Sequence, residues 1–330
     1  SRNLIDLVKA EKSDVINDKP KVIVITGPTA SGKSALGVDA ALALDGEIIN
    51  ADSMQIYKEL DVITARPDKA ALEKVPHHLY GAIPGSNRCS VEQWRILAIQ
   101  EIDKVHKRDK MPILVGGTGM YIRALEKGIA EVPDIPDVIR EKGRARLAQV
   151  GGEAFKAELA LLDPEMGVKL NPGDSQRLAR AWEVVTHTGK SLLHWQREAE
   201  GKVPDYDFIR FALVPPREDL YDNCNKRFEI MLDQGGLKEV EDLLALSLDP
   251  SLPIMKALGV PELAEYIQGK TSLEDAISRA QQNTRRYAKR QMTWIRTQYN
   301  DAKIVNEKYS ERLRGDFFNF IRQSGLTPSC

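Results

Sequence analysis

Val22-Ile23-Val24-Ile25-Thr26-Gly27-Pro28-Thr29-Ala30-Ser31-Gly32-Lys33-Ser34 runs from an apolar stretch through a glycine-bracketed loop into a helical pattern, Ala35 to Leu44. From Gly27 to Ser34 it reads G-x-x-x-x-G-K-[ST] in the setting that motif requires, a buried strand before and a helix after. Such a loop points successive backbone N–H groups at one spot, at the positive end of a helix, and so holds a di- or triphosphate. Gly27, Pro28, Thr29, Ala30, Ser31, Gly32, Lys33 and Ser34 are therefore the candidate phosphate-binding loop. Lys33 would add a point charge on the phosphates and Ser34 a hydroxyl for Mg²⁺. The loop alone does not reveal what carries the phosphates.

Further apolar runs bounded by turns follow at Glu47–Asn50, His78–Ile83 and Met111–Val115, with helical patterns between several of them. Ser90 reads as the N-cap of a helix from Val91 to Lys107, with Gln93 at the capping-box position. Strand alternating with helix predicts an α/β fold, a parallel sheet flanked by helices, with ligands at the carboxyl ends of its strands. From about Ile135 to Leu193 no strand pattern is found, and Pro133, Pro136, Pro164 and Pro172 punctuate the region into short helices, which predicts a helical insertion. Strand character returns at Phe208–Val214, followed by a helix from Arg217 to Gln234 and helices at Val260–Gln268, Ser272–Tyr299 and Arg312–Ser324. The organisation expected is an N-terminal extension (1–20), the first part of the core (20–123), the insertion (124–200) and a core completion with basic helices (201–330).

A chain of 330 residues, 42% hydrophobic and 29% charged, can bury a substantial core and stay in solution. No run approaches membrane-spanning length and no signal-peptide pattern opens the sequence. Cys89, Cys224 and Cys330 are far apart and form no metal-ligand spacing, which fits a reducing compartment. A cytoplasmic protein without a membrane partner is expected. Net charge is −1, yet Ser278 to Gln298 holds Arg279, Arg285, Arg286, Lys289, Arg290 and Arg296 with no acidic residue, interleaved with Tyr287 and Trp294. Such a helix is either the footprint of a phosphate-backbone partner or a solvated face whose aromatics point inward, and composition leaves both open.

Two strand ends and one helix carry useful chemistry. Asp52, after Ile48-Ile49-Asn50-Ala51, is placed to act as a base or to hold Mg²⁺, or else to cap a short helix over Ser53–Tyr57. Gly116-Gly117-Thr118-Gly119 lets backbone approach a ligand and offers the Thr118 hydroxyl. Arg217 and Arg227 share a helix, and an arginine fork suits a departing diphosphate. No second strand ends in an acidic residue, as a P-loop kinase would usually require. The residues by themselves thus describe a phosphate-binding α/β enzyme with a possible nucleic-acid partner.

Five ordered strings resemble the bacterial-type tRNA dimethylallyltransferases, the IPP transferase family. They are Gly27 to Ser34, Asp52-Ser53-Met54-Gln55-Ile56-Tyr57, Leu114 to Tyr121, Asp174 to Glu183, and Thr284 to Arg296. The resemblance implies a P-loop-NTPase-like fold with a helical insertion, and transfer of a dimethylallyl group from dimethylallyl diphosphate to N6 of the adenosine on the 3′ side of the tRNA anticodon. It implies that the loop grips the donor's diphosphate, with Lys33, Thr118, Arg227 and a Mg²⁺ on Ser34 neutralising the leaving group, and that Asp52 takes the N6 proton. It also implies RNA contacts from Asp52, Ser53, Met54, Gln55, Thr118, Arg140, Gln176, Arg177, Leu178, Ala179 and Arg180, and from the stretch around Met255–Val260. In this context Arg285, Arg286, Lys289 and Arg290 read as phosphate contacts to the anticodon stem-loop. A monomer is expected. The chain departs from the family pattern at Gly259-Val260-Pro261, where a tyrosine commonly follows the glycine, and at Ile63-Thr64-Ala65-Arg66-Pro67, which loses a glycine. No Cys/His finger follows the core, so a bacterial or organellar origin is expected. The rivals are an adenylate isopentenyltransferase acting on free AMP, ADP or ATP, and a P-loop kinase of a small metabolite.

Overall fold

In the computed structural model, which describes residues 19–328, the first apolar run forms β1 (Lys21–Thr26) at the middle of a six-stranded sheet. The other strands are β2 (Gly46–Asn50), β3 (His77–His78), β4 (Met111–Val115), β5 (Asp207–Leu213) and β6 (Lys303–Val305). Their order is β3-β2-β4-β1-β5-β6 and every pairing is parallel. Ile23 registers with Ile113 on one side and Ile209 on the other. Val22, Ile23, Val24 and Ile25 are all fully buried, because a parallel sheet has helices over both faces and its inner strands read as unbroken apolar runs.

One face is covered by α1 (Lys33–Leu44), which brings Leu36, Val38 and Ala40 against Ile23, Ile48 and Val115, and by the C-terminal helix α13 (Glu311–Gln323). Phe317 of α13 meets Phe211 of β5 edge to face at 5.0 Å, a favoured aromatic geometry. On the other face α9 (Arg217–Asp233) and α12 (Leu273–Gln298) pack Leu220, Cys224, Ala288, Met292 and Ile295 against Ala212 and Val214. Between these lie α2 (Lys69–Lys74), α3 (Val91–Lys107), α4 (Gly119–Lys127), α10 (Gly236–Ala245) and α11 (Val260–Ile267). The capping box read at Ser90 and Gln93 is formed, each side chain bonded to the other's backbone N–H.

The chain divides into two units: the sheet and its helices, built from residues up to Ile122 and from Asp205 onward, and Arg123–Pro204. The second contains α5 (Asp137–Leu162), α6 (Pro164–Lys169), α7 (Ser175–Thr188) and α8 (Leu192–Glu200). It has its own core of Phe155, Leu159, Met166, Leu170, Leu178, Ala181 and Trp182. No described helix is long and apolar enough to cross a membrane. The expected N-terminal extension, apart from its last two residues, and Cys330 lie outside the described residues.

Two local readings are corrected. His78–Ile83 is not a continuous strand, since Leu79 and Gly81 adopt φ of 65° and 56° and turn the chain out of extended backbone after His78. Ser53–Ile56 forms successive turns and Tyr57 bridges to Ile83, so no helix forms over Ser53–Tyr57.

Candidate functional site

Parallel strands end at one edge, so the segments after β1, β2 and β4 meet there. Gly32 caps α1 with φ 91° and without a side-chain hydrogen bond, which leaves the first-turn N–H groups of the helix free for a ligand. A Cβ at Gly27 would lie 2.4 Å from the Leu213 carbonyl oxygen, so only glycine lets the loop leave β1 this closely against β5. The Ser31 hydroxyl is buried and has no hydrogen-bond partner among the described residues, a donor available to a phosphate oxygen. Lys33 Nζ donates to the Pro28 carbonyl at 3.2 Å, and the Arg227 guanidinium, reaching in from α9, donates to the Thr29 hydroxyl. Two cations thus converge on the loop. Burial draws Lys33 down to about 8, with Arg227 pushing further down and Asp52 partly restoring it. Burial likewise lowers Arg227, against the opposing pull of Cys224 and Asp52.

Asp52 is held by its neighbours on every side but one. The fully buried Asn50 accepts the Asp52 N–H at 2.8 Å and donates to the Asp52 and Leu79 carbonyls, both at 3.0 Å. Trp94, stacked on Tyr121, fixes the Asn50 carbonyl through its indole N–H at 2.8 Å. Asp52 Oδ1 accepts the N–H groups of Met54 (2.8 Å) and Gln55 (3.2 Å), while Oδ2 takes no hydrogen bond from a described residue. One oxygen of Asp52 thus caps a turn, and the other takes no hydrogen bond from a described residue and is available to a ligand.

Thr118 joins the segments after β2 and β4. Its Oγ1 accepts the Ser53 N–H at 2.9 Å, and Tyr287 of α12 stands beside it. Burial and the nearby Asp52 charge push Tyr287 up to about 12, so it remains a neutral phenol at neutral pH. A cavity of about 280 Å³ opens among these groups, with Thr29, Asp52, Arg227 and Tyr287 on its polar side. Its apolar wall comprises Ile63, Phe228, Met231, Ala257 and Leu258, and Lys256 and Arg290, both exposed, also line it. Thr29 of the glycine loop, Arg227, Asp52 and an apolar wall thus share one space, which suits displacement of a diphosphate from an apolar group by a nucleophile whose proton a carboxylate accepts.

The remaining candidates separate by exposure. Ser34 is exposed on the first turn of α1. No group of three or more His, Cys, Asp or Glu among the described residues is arranged to hold a metal. Mg²⁺ usually takes one or two protein ligands and completes its shell with phosphate oxygens and water, and a single serine hydroxyl beside a phosphate loop fits that habit. On α12, Arg286, Lys289 and Arg290 are exposed, whereas Arg285 is half-buried and donates to the Asn225 side chain at 2.7 Å. Arg290 also lies over the Tyr287 ring at 5.7 Å. The inward aromatic is Trp294, stacked on Tyr299 and packed so closely on Gly119 that a Cβ there would come within 2.4 Å. Gln55 donates through Nε2 to the carbonyls of Thr64 and Ala65, bracing the stretch that carries Ile63 and Thr64 of the cavity wall.

Arg140, Gln176, Arg177 and Arg180 belong to the insertion, where Gln176 and Arg177 are exposed and Arg180 is half-buried beside Glu183. Leu178 and Ala179 are corrected as RNA contacts: Leu178 is a core residue of the insertion and Ala179 is buried. Helical periodicity turns these two inward while their neighbours face out. Val260 is also buried, at the start of α11. Arg217, unlike Arg227, is exposed on the first turn of α9.

Sequence reasoning passed over Asn50 and Gln291. Gln291 of α12 accepts the Thr29 N–H through Oε1 at 2.8 Å and donates through Nε2 to the Gly117 carbonyl at 3.0 Å. The available signal was a lone amide among the buried positions Ala280, Thr284, Ala288, Met292 and Ile295.

The sequence model described as IPP transferase matches residues 55–298. A tRNA dimethylallyltransferase of Rhodospirillum centenum is 48% identical over 283 residues, covering 86% of this chain and 90% of the relative. One of Paramagnetospirillum magneticum is 46% identical over 305 residues, covering 92% and 97%. The crystal structure of the tRNA isopentenylpyrophosphate transferase of Bacillus halodurans superposes with a TM-score of 0.68 at 32% identity, covering 92% of this chain and 96% of that one. A eukaryotic dimethylallyltransferase acting on tRNA gives 0.71 at 26% identity, over 94% and 81%. With its parallel sheet, its phosphate loop and these relatives along nearly its whole length, the chain belongs to the IPP transferase family.

Proposed function

We propose that this protein is a tRNA dimethylallyltransferase, transferring a dimethylallyl group from its diphosphate to N6 of the adenosine 3′ to the anticodon, as a cytoplasmic monomer. The names of the relatives support the transferred group and the tRNA acceptor. The observation that carries the chemistry is the meeting of Thr29 of the loop, Arg227, Asp52 with its Oδ2 unshared, and an apolar wall in one cavity.

The N6 nitrogen attacks C1 of the dimethylallyl group while the C1–O bond breaks, and diphosphate leaves with the electron pair. Negative charge gathers on the leaving group, where Lys33, Arg227 and the free N–H groups of α1 meet it. Preorganised charge of this kind is commonly the largest catalytic contribution. Mg²⁺, held by Ser34 and the diphosphate, would supply further charge neutralisation. Asp52 accepts the N6 proton. A carboxylate suffices because the amine becomes strongly acidic only as the C–N bond forms. The acceptor base must leave its stack to reach the cavity, and flexible loops of RNA permit that at low cost.

The test offers radiolabelled dimethylallyl diphosphate and Mg²⁺ with unmodified tRNA or AMP as separate acceptors. Label at the adenosine beside the anticodon supports the proposal. Label in AMP moves the protein to free-nucleotide prenylation, and ATP turnover without label in either overturns the reading.

The exposed Arg286, Lys289 and Arg290 are assigned to RNA phosphates. Replacing all three by alanine should flatten the slope of log affinity against log salt for an anticodon stem-loop by about 2. An unchanged slope would return this helix face to solvent.

A further inference from the structure

The peptide between Pro28 and Thr29 is held along both edges. Its carbonyl accepts the Ser31 N–H and Lys33 Nζ, both at 3.2 Å, and its N–H is donated to Gln291 Oε1. The Thr29 N–H is therefore spent on Gln291, and the same peptide carries the carbonyl that anchors Lys33. The other end of the Gln291 amide reaches the Gly117 carbonyl. A Cβ on Gly117 would sit 2.3 Å from Gln291 Nε2, so glycine there admits the amide. One turn earlier Tyr287 stands beside Thr118, so positions i and i+4 on one face of α12 both face the segment after β4. On the outer side of the same turns stand Arg286, Lys289 and Arg290.

An amide that is only 6% exposed is costly among Ala288, Met292 and Ile295 unless both of its ends are bonded, and a hydrophobic side chain of similar size would fill the space. Here both ends are used, and both partners belong to the segments that form the phosphate site.

We infer that Gln291 is a positioning residue: by fixing the Pro28–Thr29 peptide it aims Lys33, and it ties the helix that carries the RNA-facing cations to the diphosphate loop, so that RNA and diphosphate bind cooperatively. The inference rests on the function proposed above. Ordering of α12 by RNA should sharpen the loop, and by linkage diphosphate should tighten RNA by the same factor.

The experiment measures inorganic diphosphate binding, with Mg²⁺, to the whole protein with and without a saturating anticodon stem-loop, together with steady-state transfer. In the wild type the RNA should tighten diphosphate at least 5-fold, within the usual range of such couplings. Gln291→Met, which keeps the volume, should weaken diphosphate about 10-fold and bring the RNA effect close to 1, raising the donor KM more than it lowers kcat. Gln291→Leu, which also lacks the amide and leaves the Gly117 and Gly27 backbone untouched, should reproduce both changes, so the inference stays testable if the Met variant does not fold. Wild-type diphosphate affinity in the folded variants, or an RNA effect that survives in them, overturns the inference. If the wild type neither binds the stem-loop nor transfers the group, the proposed function fails instead, while the diphosphate measurement alone still reports on the loop.

Discussion

Asp52→Asn should lower the single-turnover rate of transfer by about 10²–10⁴-fold, the usual contribution of a positioned general base. The asparagine retains an Oδ1 that can accept the Met54 and Gln55 N–H groups, so the turn after β2 persists while the proton acceptor is lost. Affinity for the anticodon stem-loop should then stay within a few-fold of wild type. Asp52→Ala removes both functions. It should match the asparagine variant in chemistry, and weaken RNA further because Ser53 to Gln55 lose their anchor. Donor affinity discriminates between the two roles read for Asp52. Its charge attracts Lys33 and Arg227, so its removal leaves diphosphate binding unchanged or tighter if Asp52 is a base. Loss of donor affinity in Asp52→Asn, with the rate at saturating donor preserved, would make Asp52 a metal or donor ligand.

That one oxygen of Asp52 is spent on the turn while the other is left unbonded marks the limit of what the sequence could convey. β1 and the glycine loop were legible because a strand covered on both faces has no polar alternation, and because the loop's chemistry is confined to eight consecutive residues. The same local logic recovered the Ser90 cap. It misjudged the edge at His78, where left-handed Leu79 and Gly81 end the strand, since φ at a leucine is set by its surroundings rather than by its type. β6, three residues long, fell below any pattern. Leu178 and Ala179 were carried along inside a motif string whose outward members are Gln176, Arg177 and Arg180, and helical periodicity would have separated them. Gln291 lay inside another such string, but its partners are 262 and 174 residues away, and no local pattern signals a contact of that span. Family strings name a region; burial and hydrogen bonding decide which of its side chains are available.

Lys33→Met should reduce transfer by about 10²–10³-fold, the scale found when one preorganised charge is taken from a developing anion. It should also raise the donor KM, because the ammonium meets diphosphate in the ground state as well. Without ligand, Lys33 and Arg227 repel each other in a poorly hydrated site, and Asp52 only partly offsets the cost. The lysine lowered to about 8 makes two signed consequences measurable. Below that pH it is charged, so affinity of the free enzyme for inorganic diphosphate should be high at pH 7 and fall as pH rises through about 8. Lys33→Arg should lack that fall, because guanidinium keeps its proton across this range. The second consequence concerns stability. Between about 8 and the ordinary 10.5 the unfolded chain binds more protons at this position than the folded one, so the contribution of Lys33 to stability rises with pH across that window. Below pH 8 the cost of holding the charge is felt in full, and there Lys33→Met should raise the melting temperature by a few degrees while nearly abolishing transfer. A variant that loses both stability and activity would show that Lys33 is a packing element of the loop. Greater stability with less turnover is what a charge kept for its substrate requires.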